Sequence, residues 1–135
     1  MSQIKKINHI AIVVENIDDA LVFWQDQLGL KLDHMEDVPS QASKVAFLPI
    51  GDGEIELVEP TDPESGLSKY LEKRGEGMHH LCFQVDDIEA MLDLLREKGV
   101  RLINETPFDL PGRRMAFIHP KAANGVLIEF YEIIE

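Results

Sequence analysis

Cysteine is almost missing from this chain. Cys82 is the single one in 135 residues, so no disulfide can close within the chain and its stability must come from packing. A chain without cross-links suits a reducing compartment, and a cytoplasmic location is expected. Basic residues are also scarce, 13 against 25 acidic ones, for a formal net charge of −12. That balance argues against nucleic acid as a partner, because phosphate backbones are bound by basic surfaces. No apolar run approaches the ~18 residues that a membrane span requires. Residues 1–6 lack the apolar core of a secretory signal, so no membrane partner is expected. What remains is ordinary: 44% hydrophobic and 28% charged residues at a length that suits one globular domain.

The most informative feature present is an internal repeat. His9-Ile10-Ala11-Ile12-Val13-Val14 is echoed by His80-Leu81-Cys82-Phe83-Gln84-Val85. Each segment reads as a strand and runs into a helix start, at Asn16-Ile17-Asp18-Asp19 and at Asp87-Ile88-Glu89. Asn16 and Asp87 are suited to N-cap positions, where a side-chain oxygen accepts an orphan backbone N–H. Ile17, Leu21, Trp24 and Leu28 form a one-sided stripe in the first helix; Ile88, Leu92 and Leu95 do so in the second. Gly29 and Gly99 are placed to end these helices. Three strands are expected after each helix, near 31–38, 44–50 and 54–59 in the first copy and near 100–104, 115–119 and 126–133 in the second. A turn-rich stretch at 60–66 and a short helix near 67–73 separate the copies. The expectation is one α+β domain made of two modules, about 5–62 and 76–135, each strand–helix–three strands.

Strand side chains alternate between faces. Ile10, Ile12 and Val14 share one face with Leu81, Phe83, Val85, Ile55, Leu57, Ile128 and Phe130, which the helices should cover. The opposite face carries His9, His80, Glu56 and Glu129, one per strand, at matched positions of the repeat. The spacing, 47 residues from His9 to Glu56 and 49 from His80 to Glu129, has meaning only through that repeat. Burying two carboxylates beside two imidazoles is costly unless a cation joins them. Such a set suits zinc, cobalt, nickel, manganese or iron, with positions left open for water or substrate. Among the other candidates, Cys82 shares the face of His80 but reads as a small core residue. His79 points to the other face and reads as structural, and His34 as exposed. His119, in a His-Pro-Lys turn, suits a structural or a functional role equally. Arg113, Arg114 and Lys121 could together hold an anion, although on residue type they read first as a solvated loop.

These residues resemble the vicinal oxygen chelate superfamily. Within it, three stretches are similar to the methylmalonyl-CoA epimerases: Val45–Gly51 with Ile55–Pro60, Leu71–His80 running into Val85–Ile88, and Phe117–Lys121 leading to Gly125–Glu129. The resemblance implies two tandem βαβββ modules forming an eight-stranded curved sheet, a cup with the helices on its outer face. It implies one divalent metal ion (cobalt, nickel, zinc or manganese) on His9, Glu56, His80 and Glu129, an acyl-CoA substrate and a homodimer. The implied reaction exchanges a proton at C2 of methylmalonyl-CoA through a metal-stabilised enolate, with Glu129 and Glu56 as catalytic acid–base groups. Lys121 would meet anionic groups of coenzyme A. Some epimerases carry a second acid where this chain has Lys44. A glyoxalase I type isomerase and a metal-free binding protein of the same fold are the alternatives.

Overall fold

Alternating apolar residues and matched helix caps recur along the chain in a computed structural model, which describes residues 2–134. Among them are eight strands: β1 (Ile4–Val13), β2 (His34–Val38), β3 (Ser43–Ile50), β4 (Gly53–Pro60), β5 (Gly77–Val85), β6 (Phe108–Leu110), β7 (Arg113–Ile118) and β8 (Ile128–Ile133). Their hydrogen-bonded order is β2-β3-β4-β1-β5-β8-β7-β6. The helices are α1 (Ile17–Leu21), α2 (Gly66–Arg74) and α3 (Ile88–Glu97). None among the described residues is long and apolar enough to cross a membrane. The chain forms two compact units, one from Ile10–His79 and one from Met1–His9 with His80–Glu135.

In the unit of residues 10–79, α1 packs Ile17 and Leu21 against Val14, Ala46, Leu48 and Leu57, with Ile12 and Ile55 at the margin. These are the apolar alternates of β1, β3 and β4. Asn16 caps the helix by accepting the N–H of Asp19 at 2.9 Å. The stripe expected through Leu28 stops early, because Val22–Gln27 continue as a π-helix. The Leu28 N–H bonds back to Phe23, five residues away, and the wider turn leaves Leu28 52% exposed. The opposite face holds a second cluster, Ala11, Val45 and Val58, packed with Phe47 and with Leu67 of α2.

The other unit repeats the plan. Helix α3 buries Ile88, Met91 and Leu92 against Val85, Ala116, Ile118 and Phe130. Asp87 caps it by accepting the N–H of Ala90 at 3.0 Å. Burial of each such side chain stabilises the fold by roughly 1.5–3 kcal/mol. Gly99 ends the helix region with φ +77°, a left-handed conformation that costs glycine nothing.

One expected strand is corrected. Residues 100–104 do not form a ladder; Leu102 makes an isolated bridge to Ile118. The N–H groups of Ile103 and Asn104 share the Phe117 carbonyl, at 3.0 and 3.3 Å. The Asn104 side chain then takes the Phe117 N–H at 2.8 Å, where a strand carbonyl would have served. The strand appears later, as β6.

The repeat also carries a device that the sequence pattern did not reveal. The first N–H of α1, on Ile17, donates to Glu59 Oε1 at 2.8 Å. The first N–H of α3, on Ile88, donates to Glu132 Oε1 at 2.7 Å. Each glutamate lies three positions after a candidate ligand, Glu56 or Glu129, and so on the opposite face of its strand. One acid per module points away from the helix and the other holds the helix start.

Candidate metal centre

Three of the sequence-derived candidates meet within the unit of residues 2–9 and 80–134. Strand alternation sends His9, His80 and Glu129 to the face away from α3. The parallel pairing of β5 with β8 sets Cys82 beside Glu129 and Gln84 beside Tyr131. His9 and Glu129 are each 1% exposed, and the His80 side chain 11%. His80 Nε2 lies 2.9 Å from Glu129 Oε1, His9 Nε2 lies 3.2 Å from the same oxygen, and the two imidazole nitrogens are 3.0 Å apart.

The neighbours of His9 orient its ring. Asn8 Nδ2 donates to Gln84 Oε1 at 3.1 Å, which turns the Asn8 oxygen toward His9 Nδ1 at 2.7 Å. A ring nitrogen facing an acceptor carries its hydrogen, so Asn8 holds the Nδ1–H of His9 and leaves Nε2 to face His80 and Glu129. The Tyr131 ring holds the imidazole edge-on, with centroids 5.1 Å apart. His80 in turn meets Phe117 edge-on at 5.8 Å.

Glu129 Oε1 is buried and has no hydrogen-bond donor at a bonding angle, despite its two close nitrogens. Burial pushes the Glu129 carboxyl up, but His80 and then His9 outweigh it and bring it from 4.5 to about 2. The arrangement fits a cation: ligand atoms ~2.1 Å from an ion and about 90° apart lie about 3 Å from one another. The buried Cys82 thiol is also in reach, since Sγ and ligand atoms of His9 and Glu129 lie within 4.8 Å of one another. Cys82 therefore lines this cluster as well as filling the core.

Glu56, 5% exposed, belongs to the unit of residues 10–79, where it stands opposite Phe47. Lys44 pairs with Glu59 and so faces away from Glu56. The β3 residues on the Glu56 side are Ser43, Val45, Phe47 and Pro49, none of them an acid. Lys121 is exposed in the short turn Pro120–Ala123, and its N–H donates to His119 Nδ1 at 3.0 Å. His119 thus serves the turn as a cap. Its imidazole is held below 6.5 by burial, then by Arg101 and Lys121. His79 packs edge-on against Tyr70 at 4.7 Å. His34 stacks on Phe47 with centroids 4.5 Å apart and bonds Asp33 at 2.6 Å. Asp33 chiefly raises its pKa, burial opposing and Glu36 assisting. Asn8 was missed, although it adjoins His9; Gln84 and Tyr131 already stood on the ligand face by alternation.

The sequence pattern of the glyoxalase/bleomycin resistance protein/dioxygenase superfamily matches residues 8–117. The chain belongs to that superfamily. As a superfamily member it is similar to the ethylmalonyl-CoA/methylmalonyl-CoA epimerase of Cereibacter sphaeroides, 33% identical over 96% of this chain and 99% of the relative. A solved methylmalonyl-CoA epimerase in complex with methylmalonyl-CoA and NH4+ superposes with a TM-score of 0.89 at 33% identity, covering 97% of this chain and 96% of the other. The hypothetical protein BH1468 from Bacillus halodurans C-125 is nearer in sequence, at 47% identity and TM-score 0.92, covering 96% and 95%. The fold is thus the α+β fold of the vicinal oxygen chelate proteins, with relatives that are epimerases.

Proposed function

We propose that this protein is a metal-dependent epimerase that interconverts the (R) and (S) forms of methylmalonyl-CoA. The observation that carries the reading is the convergence of His9 Nε2, His80 Nε2 and Glu129 Oε1 within 2.9–3.2 Å, with that oxygen buried and lacking an aligned donor. The epimerase relatives at 33% identity support the substrate class. His9, His80 and Glu129 would hold a divalent ion, with cobalt, nickel, zinc and manganese all suited to the donors. Glu56 joins them as fourth ligand on the strength of the repeat, in which it matches Glu129.

When bound, a divalent ion supplies Lewis-acid stabilisation to the oxygen that gains charge as C2 loses its proton. The protein's own groups do the rest. Asn8 and Gln84 hold His9 in the tautomer that offers Nε2. The ionised Glu129 carboxylate takes the C2 proton through its second oxygen, as the C–H pair moves toward the thioester carbonyl. Glu56, carrying a proton on the oxygen not offered to the ion, delivers it to the opposite face of C2, and the reverse direction exchanges the two roles. The Glu56 side of β3 carries Ser43, Val45, Phe47 and Pro49 and no acid, so on these two strands the second base is assigned to Glu56. Lys121 meets anionic groups of coenzyme A, and the active protein is a homodimer.

The test is exchange at C2. Incubation of methylmalonyl-CoA with the metal-loaded protein in deuterium oxide should place deuterium at C2 of both epimers. No exchange, with lactoylglutathione formed from methylglyoxal and glutathione, would replace this reading with a glyoxalase I type isomerase.

A further inference from the structure

Two consecutive arginines open β7 and meet opposite fates. Arg114 lies on the α3 side, where its guanidinium bonds Glu89 and Asp109, each at 3.1 Å. Arg113 lies on the ligand side: β7 sets Arg113, Met115 and Phe117 opposite Ile133, Tyr131 and Glu129. Its guanidinium sits over the Tyr131 ring, 5.4 Å from the centroid, and that ring touches His9. Nη1 donates to the Pro111 carbonyl at 3.3 Å. Nε is buried and meets no acceptor among the described residues. In a chain with nearly twice as many acids as bases, no described carboxylate pairs with this arginine. The edge of a guanidinium formed by Nε and one terminal nitrogen is the edge that grips a carboxylate or phosphate through two parallel bonds. Leaving a buried N–H unmet is costly, and a ligand oxyanion would remove that cost.

We infer that Arg113 is a specificity-determining residue that receives an oxyanion of the ligand, namely the free carboxylate of a malonyl-type thioester. The inference rests on the epimerase reading for the identity of that ligand, but not for the oxyanion. The carboxylate is favoured over the coenzyme A phosphates by position. Arg113 is two ring contacts from His9, whereas the phosphates stand at the far end of a long pantetheine arm. The contact with the Tyr131 ring and the bond to the Pro111 carbonyl hold the guanidinium in place, so little side-chain freedom is lost on binding.

The metal-loaded wild type and the R113Q, R113K and R114Q variants should be titrated with methylmalonyl-CoA, propionyl-CoA and coenzyme A by calorimetry, and with malonate by thermal shift. Methylmalonyl-CoA should bind R113Q roughly 10- to 100-fold more weakly than wild type, while propionyl-CoA and coenzyme A bind both alike. R113K should fall between, since it keeps the charge but not the fork. R114Q should lose stability without losing affinity. Equal weakening of all three thioester-series ligands would assign Arg113 to the phosphates and overturn the carboxylate assignment. If methylmalonyl-CoA fails to bind wild type, the epimerase reading falls. The oxyanion site then stands only if malonate raises the melting temperature of wild type and not of R113Q; equal shifts in both would overturn it.

Discussion

The paired helix clamps give a perturbation whose size can be worked out in advance. Glu132 Oε1 accepts the Ile88 N–H at 2.7 Å, and Ile88 itself is fully buried. Removing the carboxylate leaves that N–H, part-buried at the head of α3, without its acceptor. An unmet buried donor costs about 1–3 kcal/mol, and the negative charge at a helix start contributes about 0.3–1 kcal/mol more. E132A should therefore destabilise the protein by about 2 kcal/mol. E132Q keeps an oxygen acceptor but loses the charge, and should lose about 1 kcal/mol. Because Glu59 holds Ile17 in the same way at 2.8 Å, E59A and E59Q should reproduce the pair of values. Urea unfolding reads this directly: with a slope of about 2 kcal/mol per molar, each alanine variant moves the midpoint by about 1 M. Midpoints within about 0.2 M of wild type for both alanine variants would refute the clamp. A response at one site only would refute its duplication.

Other expectations follow from the same geometry. Since the folded Glu129 carboxyl stands at about 2 against 4.5, its contribution to metal-free stability is complete above about 4.5 and is lost as pH falls toward 2. Unfolding of chelated E129Q between pH 5 and pH 3 should lack that part of the wild-type slope; identical slopes would contradict it. L92A removes a fully buried side chain under α3 and should cost about 2–5 kcal/mol in urea unfolding, a loss under 1 kcal/mol contradicting the packing. N8A frees the His9 tautomer and should weaken metal affinity about 10- to 100-fold in chelator competition, with unchanged affinity contradicting the role given to Asn8.

How far the fold was legible varies along the chain. Period-two alternation placed Ile12, Val14, Leu57, Phe83, Val85 and Phe130 under the helices, and the structure has them there. Asn16 and Asp87 cap as their side chains allow. The π-turn at Val22–Gln27 was not legible, because it changes a hydrogen-bond ladder without altering the apolar pattern that leads into it. Residues 100–104 have a strand's composition, but the Asn104 side chain captures the bond that would have extended the ladder. At the centre, the repeat singled out His9, His80 and Glu129. Alternation fixes a face, however, not a distance. The 3 Å convergence and the part played by Asn8 depend on the β5–β8 register, which pairs residues nearly fifty positions apart.

Elemental analysis of protein purified without chelator or added metal, followed by titration, bears most directly on the centre itself. About one divalent ion per chain is expected for wild type, falling steeply in H80A and E129A, which each remove one converging donor. Wild-type protein that carries no ion and takes up none on titration, while remaining folded, would contradict the account.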